Sequence, residues 1–472
     1  MWPTLPVCAL LLLPSLAVRA ADKPNETVIQ MTVQPMAAPK PALKYRLLPE
    51  LREMNPGNPI QGYLTSYMQR DTYFAGNIIL SDPKKNADEE KWQAMPLKNL
   101  PLKEMQFYRT NFGLRLADSA ARLDNPDWQL LLRLKRDGVN VMLPDVQALR
   151  RLAGALQIRF RMEIAERHFD EALSTAKTML AMSRHLGEHP LLIGNLVGLA
   201  IGNLSLNTVD EMIQQPGCPN LFWALTDLPI PFVDLRKAFQ GERVVAEAEL
   251  TGLDDREPMN ERQLHKVVNR LAYLAKAGIF EESEARKEEA TWRQWLESRS
   301  GNKEHVRAAR KRLSVARAPA DAAKIASFPP LQIVLLDEKR NMEIQRDEQI
   351  KVLALPYWQA RRVLESIPPI PKDKKTPFMQ LLYGSNILTK YPMRQARLDQ
   401  RIGLLRCVEA LRIYAAEHDG KLPEKLDDIR LPLPVDPVTG KSFSYKVEDK
   451  KAHLLGKPLP PFRIRYEVTI GK

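Results

Sequence analysis

Residues 145–215 read "DVQALRRLAGALQIRFRMEIAERHFDEALSTAKTMLAMSRHLGEHPLLIGNLVGLAIGNLSLNTVDEMIQQ", and their period decides the fold. Leu149, Leu152, Leu156, Phe160 and Ile164 recur at steps of three and four, the spacing that lines one side of a helix. Asp145 stands where an N-cap would. Phe169, Ala172, Leu173, Ala176 and Leu180 make a second stripe, and Gly187 is placed to end it. A third helix is expected from about Pro190, since proline suits a first turn, to about Gln215, where Pro216-Gly217 stop it. Three helices joined by turns of a few residues must fold back beside one another. The predicted class is mainly α, built of antiparallel helix hairpins as a bundle or short solenoid.

The remainder of the 472 residues fits around this block. With 44% apolar and 27% charged residues the chain has the composition of a globular protein with sizeable cores. Residues 1–20, "MWPTLPVCALLLLPSLAVRA", carry an apolar block from Ala9 to Leu13 and short residues around a cleavage point after Ala20. A cleaved export signal is the leading reading, ahead of an uncleaved anchor, although no cation precedes the apolar block. Residues 21–40 are proline-rich without helical period and read as a linker. Residues 41–366 read as one helical domain, with a turn at Asn55-Pro56-Gly57, a charged part over 235–317, breaks at Phe328-Pro329-Pro330 and before Pro356, and a linker with a short helix over 367–392.

Residues 393–472 are expected to hold a helix and a small antiparallel sheet. Leu398, Ile402, Leu405, Val408, Leu411 and Ala415 share a face. Gly420 is placed to close that helix in the left-handed conformation. Glu424–Ile429 fit one further turn, Asp436-Pro437-Val438-Thr439-Gly440 a tight turn, and "SFSYKV" and "KAHLLG" the two arms of a hairpin.

Chemical motifs are few. His185 and His189 flank Glu188 at the spacing of an inverted zinc-protease motif, but Gly187 lies inside it and Pro190 follows, so the segment reads as a solvated turn that holds no metal. Gly194, Gly198 and Gly202 form a ridge that lets helix backbones approach closely. The amides of Asn195, Asn203 and Asn207 favour a packed soluble helix over a membrane span. The basic run Lys303, Arg307, Arg310, Lys311, Arg312 and Arg317 has no interleaved aromatic residue and reads as a solvated face, so no nucleic acid is expected. The segments 219–229 and 355–364, with Trp223 and Trp358, read as packing aromatics. Cys218 and Cys407 could pair, but separate buried thiols are favoured. No nucleophile elbow and no phosphate-binding glycine loop occurs. No catalytic, cofactor-binding or metal residue is therefore assigned.

Three resemblances follow. "ERHFDEALSTAKTMLAMSRHL" resembles the second helix of a tetratricopeptide hairpin, through Phe169, Ala172 and Leu173. Asp419-Gly420-Lys421-Leu422-Pro423 and Asp436-Pro437-Val438-Thr439-Gly440 resemble the globular part of type II secretion pseudopilins, over about residues 393–456. There the helix follows a processing site near the N-terminus. Here it is internal and amphipathic, so assembly into a pilus is not implied. The order of "YRLLPEL", "NLVGLAI", "QQPGCPNLFWALTDLP", "LPYWQAR" and "ALRIYAAEHDGKLP" is similar to large uncharacterised exported bacterial proteins, a resemblance that brings no activity with it. The expectation is a periplasmic or secreted, non-catalytic helical scaffold with a protein partner and no cofactor. Its net charge of +13 would permit weak contact with an anionic membrane surface. The alternative is a hydrolase of envelope or extracellular polymer.

Overall fold

The structure is a computed structural model, and it describes residues 25–72, 83–276, 281–315, 319–366, 378 and 387–471. The apolar block and the cleavage point after Ala20 lie outside these residues. Strand β1 (Asn25–Val33) is followed by helices α1 (Pro59–Thr72), α2 (Pro83–Ala94), α3 (Leu102–Thr110), α4 (Phe112–Ala120) and α5 (Leu131–Asp137). The three helices read from the sequence are α6 (Pro144–Ala165), α7 (Phe169–Gly187) and α8 (Leu192–Ile213). A charged half follows, with α9 (Phe222–Thr226), α10 (Arg236–Glu249), α11 (Glu261–Lys276), α12 (Glu282–Gly301), α13 (Lys303–Val315), α14 (Pro319–Ile325), α15 (Pro330–Ile350) and α16 (Tyr357–Ser366). The chain ends in α17 (Ile387–Glu417) and strands β2 (Ser444–Glu448), β3 (Lys451–Leu455) and β4 (Phe462–Ile470). The fold is mainly α with a small C-terminal α+β part.

The centre is α6, α7 and α8. Pro144 opens α6 in its first turn, where a missing N–H costs nothing. Its side chains from Leu152 to Ile164 are buried almost continuously, so polar residues are enclosed with the apolar stripe and need partners. Arg159 donates to Asp118 at 2.6 Å and to Thr175 at 3.0 Å. Arg161 bonds Glu211 at 2.7 Å and the carbonyls of Trp92, Gln93 and Met95. Helix α8 is long and apolar enough to cross a membrane by length and composition, and 72% of its apolar window is buried within the protein. Its glycine ridge is the reason it can sit so deep. A Cβ at Gly198 would lie 2.8 Å from the Ser183 carbonyl, and the Ser183 hydroxyl donates to the Gly198 carbonyl at 2.7 Å. On its other side, α8 packs on α17.

The stretch read as a linker over 21–40 contains β1. "NETVIQMTV" lies parallel to β4, with Asn25 opposite Phe462 and Val33 opposite Ile470. The sheet order is β1-β4-β3-β2, antiparallel between β2, β3 and β4, so it is mixed rather than antiparallel. Met31 and Val33 are buried. Helix α17 begins at Ile387, earlier than expected, and carries Pro392 inside it. Leu398, Leu405, Val408 and Leu411 of α17 share one cluster of buried side chains with Leu149 and Leu180 of the central helices.

The end of α17 follows its sequence. Asp419 and Gly420 have φ of 53° and 77°. The Gly420 N–H reaches the Ala415 carbonyl at 2.8 Å and the Lys421 N–H reaches His418 at 3.0 Å. A Cβ at Gly420 would meet nothing within 4 Å, so the cost of a side chain there is one of backbone conformation alone. Gly420→Val is expected to destabilise the turn by about 1 kcal/mol. Limited proteolysis should then show earlier cleavage between residues 419 and 450 while the central helices resist. Unchanged cleavage with unchanged melting would mean that the turn does not depend on this conformation.

Candidate functional site

A cleft of about 510 Å³ opens where the first turns of α11, the last turn of α12 and the start of α15 meet. Met259 and Leu264 lie buried at its base, Pro329, Pro330 and Leu331 form one wall, and the exposed Glu261, His265 and Glu297 stand at its rim with Ser300 and Gly301. Its shape follows from local chemistry. Asn260 and Gln263 cap α11 reciprocally, each side chain accepting from the other's backbone N–H at 3.0 and 2.8 Å, the arrangement of a capping box. The buried Gln332 accepts from the Met259 N–H at 2.9 Å and donates to the carbonyls of Asp254 and Glu257, both at 2.8 Å. One side chain of α15 thus holds the loop that supplies the cleft's base. Phe328-Pro329-Pro330 separates α14 from α15, as expected, and its two prolines also form part of the cleft wall.

Among the described residues, no side-chain hydrogen bond or ion pair orients Glu261, His265 or Glu297. Proton transfer needs a base positioned by a partner.

Charge that is buried lies elsewhere and is committed to the fold. Arg412 and Glu409 are both fully buried, 2.9 Å apart. Arg412 also donates to the carbonyls of Gln34, Pro219 and Cys218 at 3.1, 3.3 and 2.8 Å. Glu409 accepts from the Leu221 N–H at 2.9 Å. Arg401 pairs with Asp210 at 2.6 Å, and the Tyr466 hydroxyl donates to the same carboxylate at 3.2 Å.

Four carboxylates are raised to about 7: Glu242, by burial, with the Leu192 N–H opposing the shift; Glu163, by burial, with Arg159 opposing it; Glu338, by burial, with Arg299 opposing it; and Asp399, by burial, with the Phe232 N–H opposing it. None of the four lines the cleft.

His185 lies in the last turn of α7 and His189 in the turn that follows, but this segment is not solvated. His189 is buried, accepts from the Leu191 N–H at 3.0 Å and packs edge-on against Trp128 at 4.5 Å between ring centroids. His185 bonds the Tyr63 hydroxyl at 2.9 Å. Burial pushes both histidines down to about 4. The turn is enclosed because Tyr63 of α1 and Trp128 close over it, a contact no local pattern announces. Among the described residues no group of three or more metal-ligating side chains forms. Cys218 and Cys407 are separate buried thiols. Trp358 packs under Gly440, whose Cβ would fall 2.9 Å from the indole, and Trp223 stacks edge-on against Phe222 at 5.1 Å. On α13, Arg312 pairs with Asp337 at 2.6 Å, while Lys303, Arg307 and Lys311 are exposed.

The fold and cleft define a mainly helical protein with a mixed sheet at its C-terminal end. Neither known protein families, nor curated proteins, nor solved structures match the chain.

Two measurements follow from the buried charge. Arg412→Met leaves Glu409 unpaired in the core and should cost about 3–5 kcal/mol. The double variant with Glu409→Gln should recover part of that loss in urea unfolding, and equal losses would mean the pair is not coupled. The second is pH dependence. Each raised glutamate favours the folded state fully below its unfolded value of about 4.5 and loses that contribution as pH rises through 7, whereas the two depressed histidines contribute above about 6.5 and lose it as pH falls through 4. Glu242→Gln should therefore flatten the decline in stability between pH 4.5 and 7 by roughly 3 kcal/mol. A variant with the same slope as wild type in that window would show that Glu242 ionises freely.

Proposed function

We propose that the protein is an exported, non-catalytic helical scaffold of the cell envelope that holds a protein partner in the cleft between α11, α12 and α15. The observation that carries this reading is the cleft itself, an apolar base of Met259 and Leu264 and an apolar wall with Leu331 beneath the exposed Glu261 and Glu297. A partner segment with one apolar anchor and a neighbouring Lys or Arg satisfies both parts. Export rests on the apolar block before Ala20, and the tetratricopeptide-like reading of α7 agrees with a binding role, because helix hairpins expose concave surfaces. The pseudopilin-like reading of residues 393–456 would place the C-terminal part as a further contact module of the same scaffold.

The test is a photo-crosslinking residue in place of Ser300, with capture from the envelope fraction. One discrete protein adduct is expected, and Leu331→Arg should reduce it at least about tenfold by placing an unpaired charge against the apolar base. Absence of any adduct, or turnover of envelope polymer by the purified protein, would reject the scaffold reading in favour of a hydrolase.

A further inference from the structure

The first half of α17 places four cations, Lys390, Arg394, Arg397 and Arg401, at steps of four, three and four. At about 100° per residue they fall within about 60° of arc, a single ridge. The ridge has two rungs against β4. On the inner rung, Arg401 lies near the Tyr466 hydroxyl at 3.4 Å and is neutralised by Asp210 at 2.6 Å. The outer rung lacks that compensation. Arg397 lies over the Phe462 ring, its guanidinium carbon 3.9 Å from the centroid. Arg394 sits over Tyr391 at 6.0 Å. Among the described residues no carboxylate pairs with Lys390, Arg394 or Arg397. Glu26, at the same end of the sheet, is already shared by Arg463 and Arg465 at 3.4 and 3.8 Å. Asp399 lies about 200° round the helix from Arg397 and accepts from the Phe232 N–H at 2.9 Å.

This is an unusual way to arrange three positive charges. Like charges on one helical ridge repel, and Arg397 is half-buried, which adds a desolvation cost. Burial, with Arg401 and Arg394 beside it, holds the Arg397 guanidinium below its ordinary range. Stacking on an aromatic ring fixes a guanidinium plane while leaving its N–H donors unused, and that planar fork matches paired oxygens on phosphorus. Two such forks and an ammonium suit a multiply charged anion better than a single carboxylate.

We infer that Lys390, Arg394 and Arg397 form a binding site for a phosphate-bearing anion at the outer rung between α17 and β4. The site is separate from the cleft of the proposed scaffold function and does not depend on it. A soluble phosphoanhydride and a lipid phosphate headgroup share this chemistry, and the experiment distinguishes them.

The full chain is titrated with inorganic pyrophosphate by calorimetry, and in parallel with phosphatidylglycerol vesicles by sedimentation. Saturable binding to pyrophosphate identifies a soluble ligand. Binding to vesicles without measurable pyrophosphate affinity identifies a headgroup. In either arm, Arg394→Gln with Arg397→Gln should weaken binding at least about tenfold. Arg394→Lys with Arg397→Lys keeps the charge but loses the forks, and should weaken it several-fold with unchanged melting. A control variant, Lys303→Gln with Arg307→Gln, removes an equal charge from the exposed face of α13 and should bind as wild type. No binding in either arm overturns the inference. So does a lysine variant that binds as wild type, or a control that loses as much as the arginine variant, since either outcome reduces the effect to net charge.

Discussion

The pair between Arg412 and Glu409 is the constraint on which the two ends of the chain depend. Both side chains are fully buried, and moving two ions out of water costs more than their attraction returns unless the remaining donors and acceptors are satisfied. Here they are satisfied by backbone from distant parts of the chain. Gln34, Cys218 and Pro219 offer carbonyls and Leu221 an N–H, while the Met36 N–H reaches the Arg412 carbonyl at 3.0 Å. The pair is therefore fully bonded only when the segment after β1, the turn after α8 and the helix α17 are all in place. That geometry delivers β1 to the edge of β4, and the sheet at the C-terminus is completed by residues from the N-terminus.

The same logic separates the charges that build the protein from those that remain available. Arg159 with Asp118, Arg401 with Asp210 and Arg412 with Glu409 are closed pairs inside the helical core. The first two join different helices and so specify which faces which, whereas Arg412 and Glu409 both lie on α17 and tie that helix to the surrounding backbone; removing either partner of a pair strands the other. Glu242 meets the first N–H of α8 and no cation, and burial raises it to about 7 against that bond. In contrast, the rim of the cleft and the outer rung of α17 carry side chains with no closed partner among the described residues. Both lie where elements from distant parts of the sequence meet, and both leave their chemistry turned toward solvent. The scaffold reading assigns a partner to the first, and the anion site assigns one to the second.

What the sequence by itself determined is whatever rests on near neighbours. The apolar stripes at Leu149–Ile164 and Phe169–Leu180 place α6 and α7 within a residue or two, because a helix buries its own periodic face wherever it packs. Gly198 foretold a close backbone contact, Gly420 a left-handed helix end, and residues 444–455 a hairpin, each through backbone freedom or strand alternation over a few positions. Tertiary structure alone decided the rest. Gln30 of β1 meets Glu467 of β4 across 437 positions, and nothing within "NETVIQMTV" names that partner, so a strand of nine residues read as a linker. The turn at His185–His189 was recognisable from Gly187 and Pro190, but its burial came from Tyr63 and Trp128. The cleft needed Gln332 to reach back to Met259, and the cationic rung needed Phe462 under Arg397. Periodicity and turn chemistry act over a few residues, whereas a site is made by side chains that meet only after the whole chain has folded.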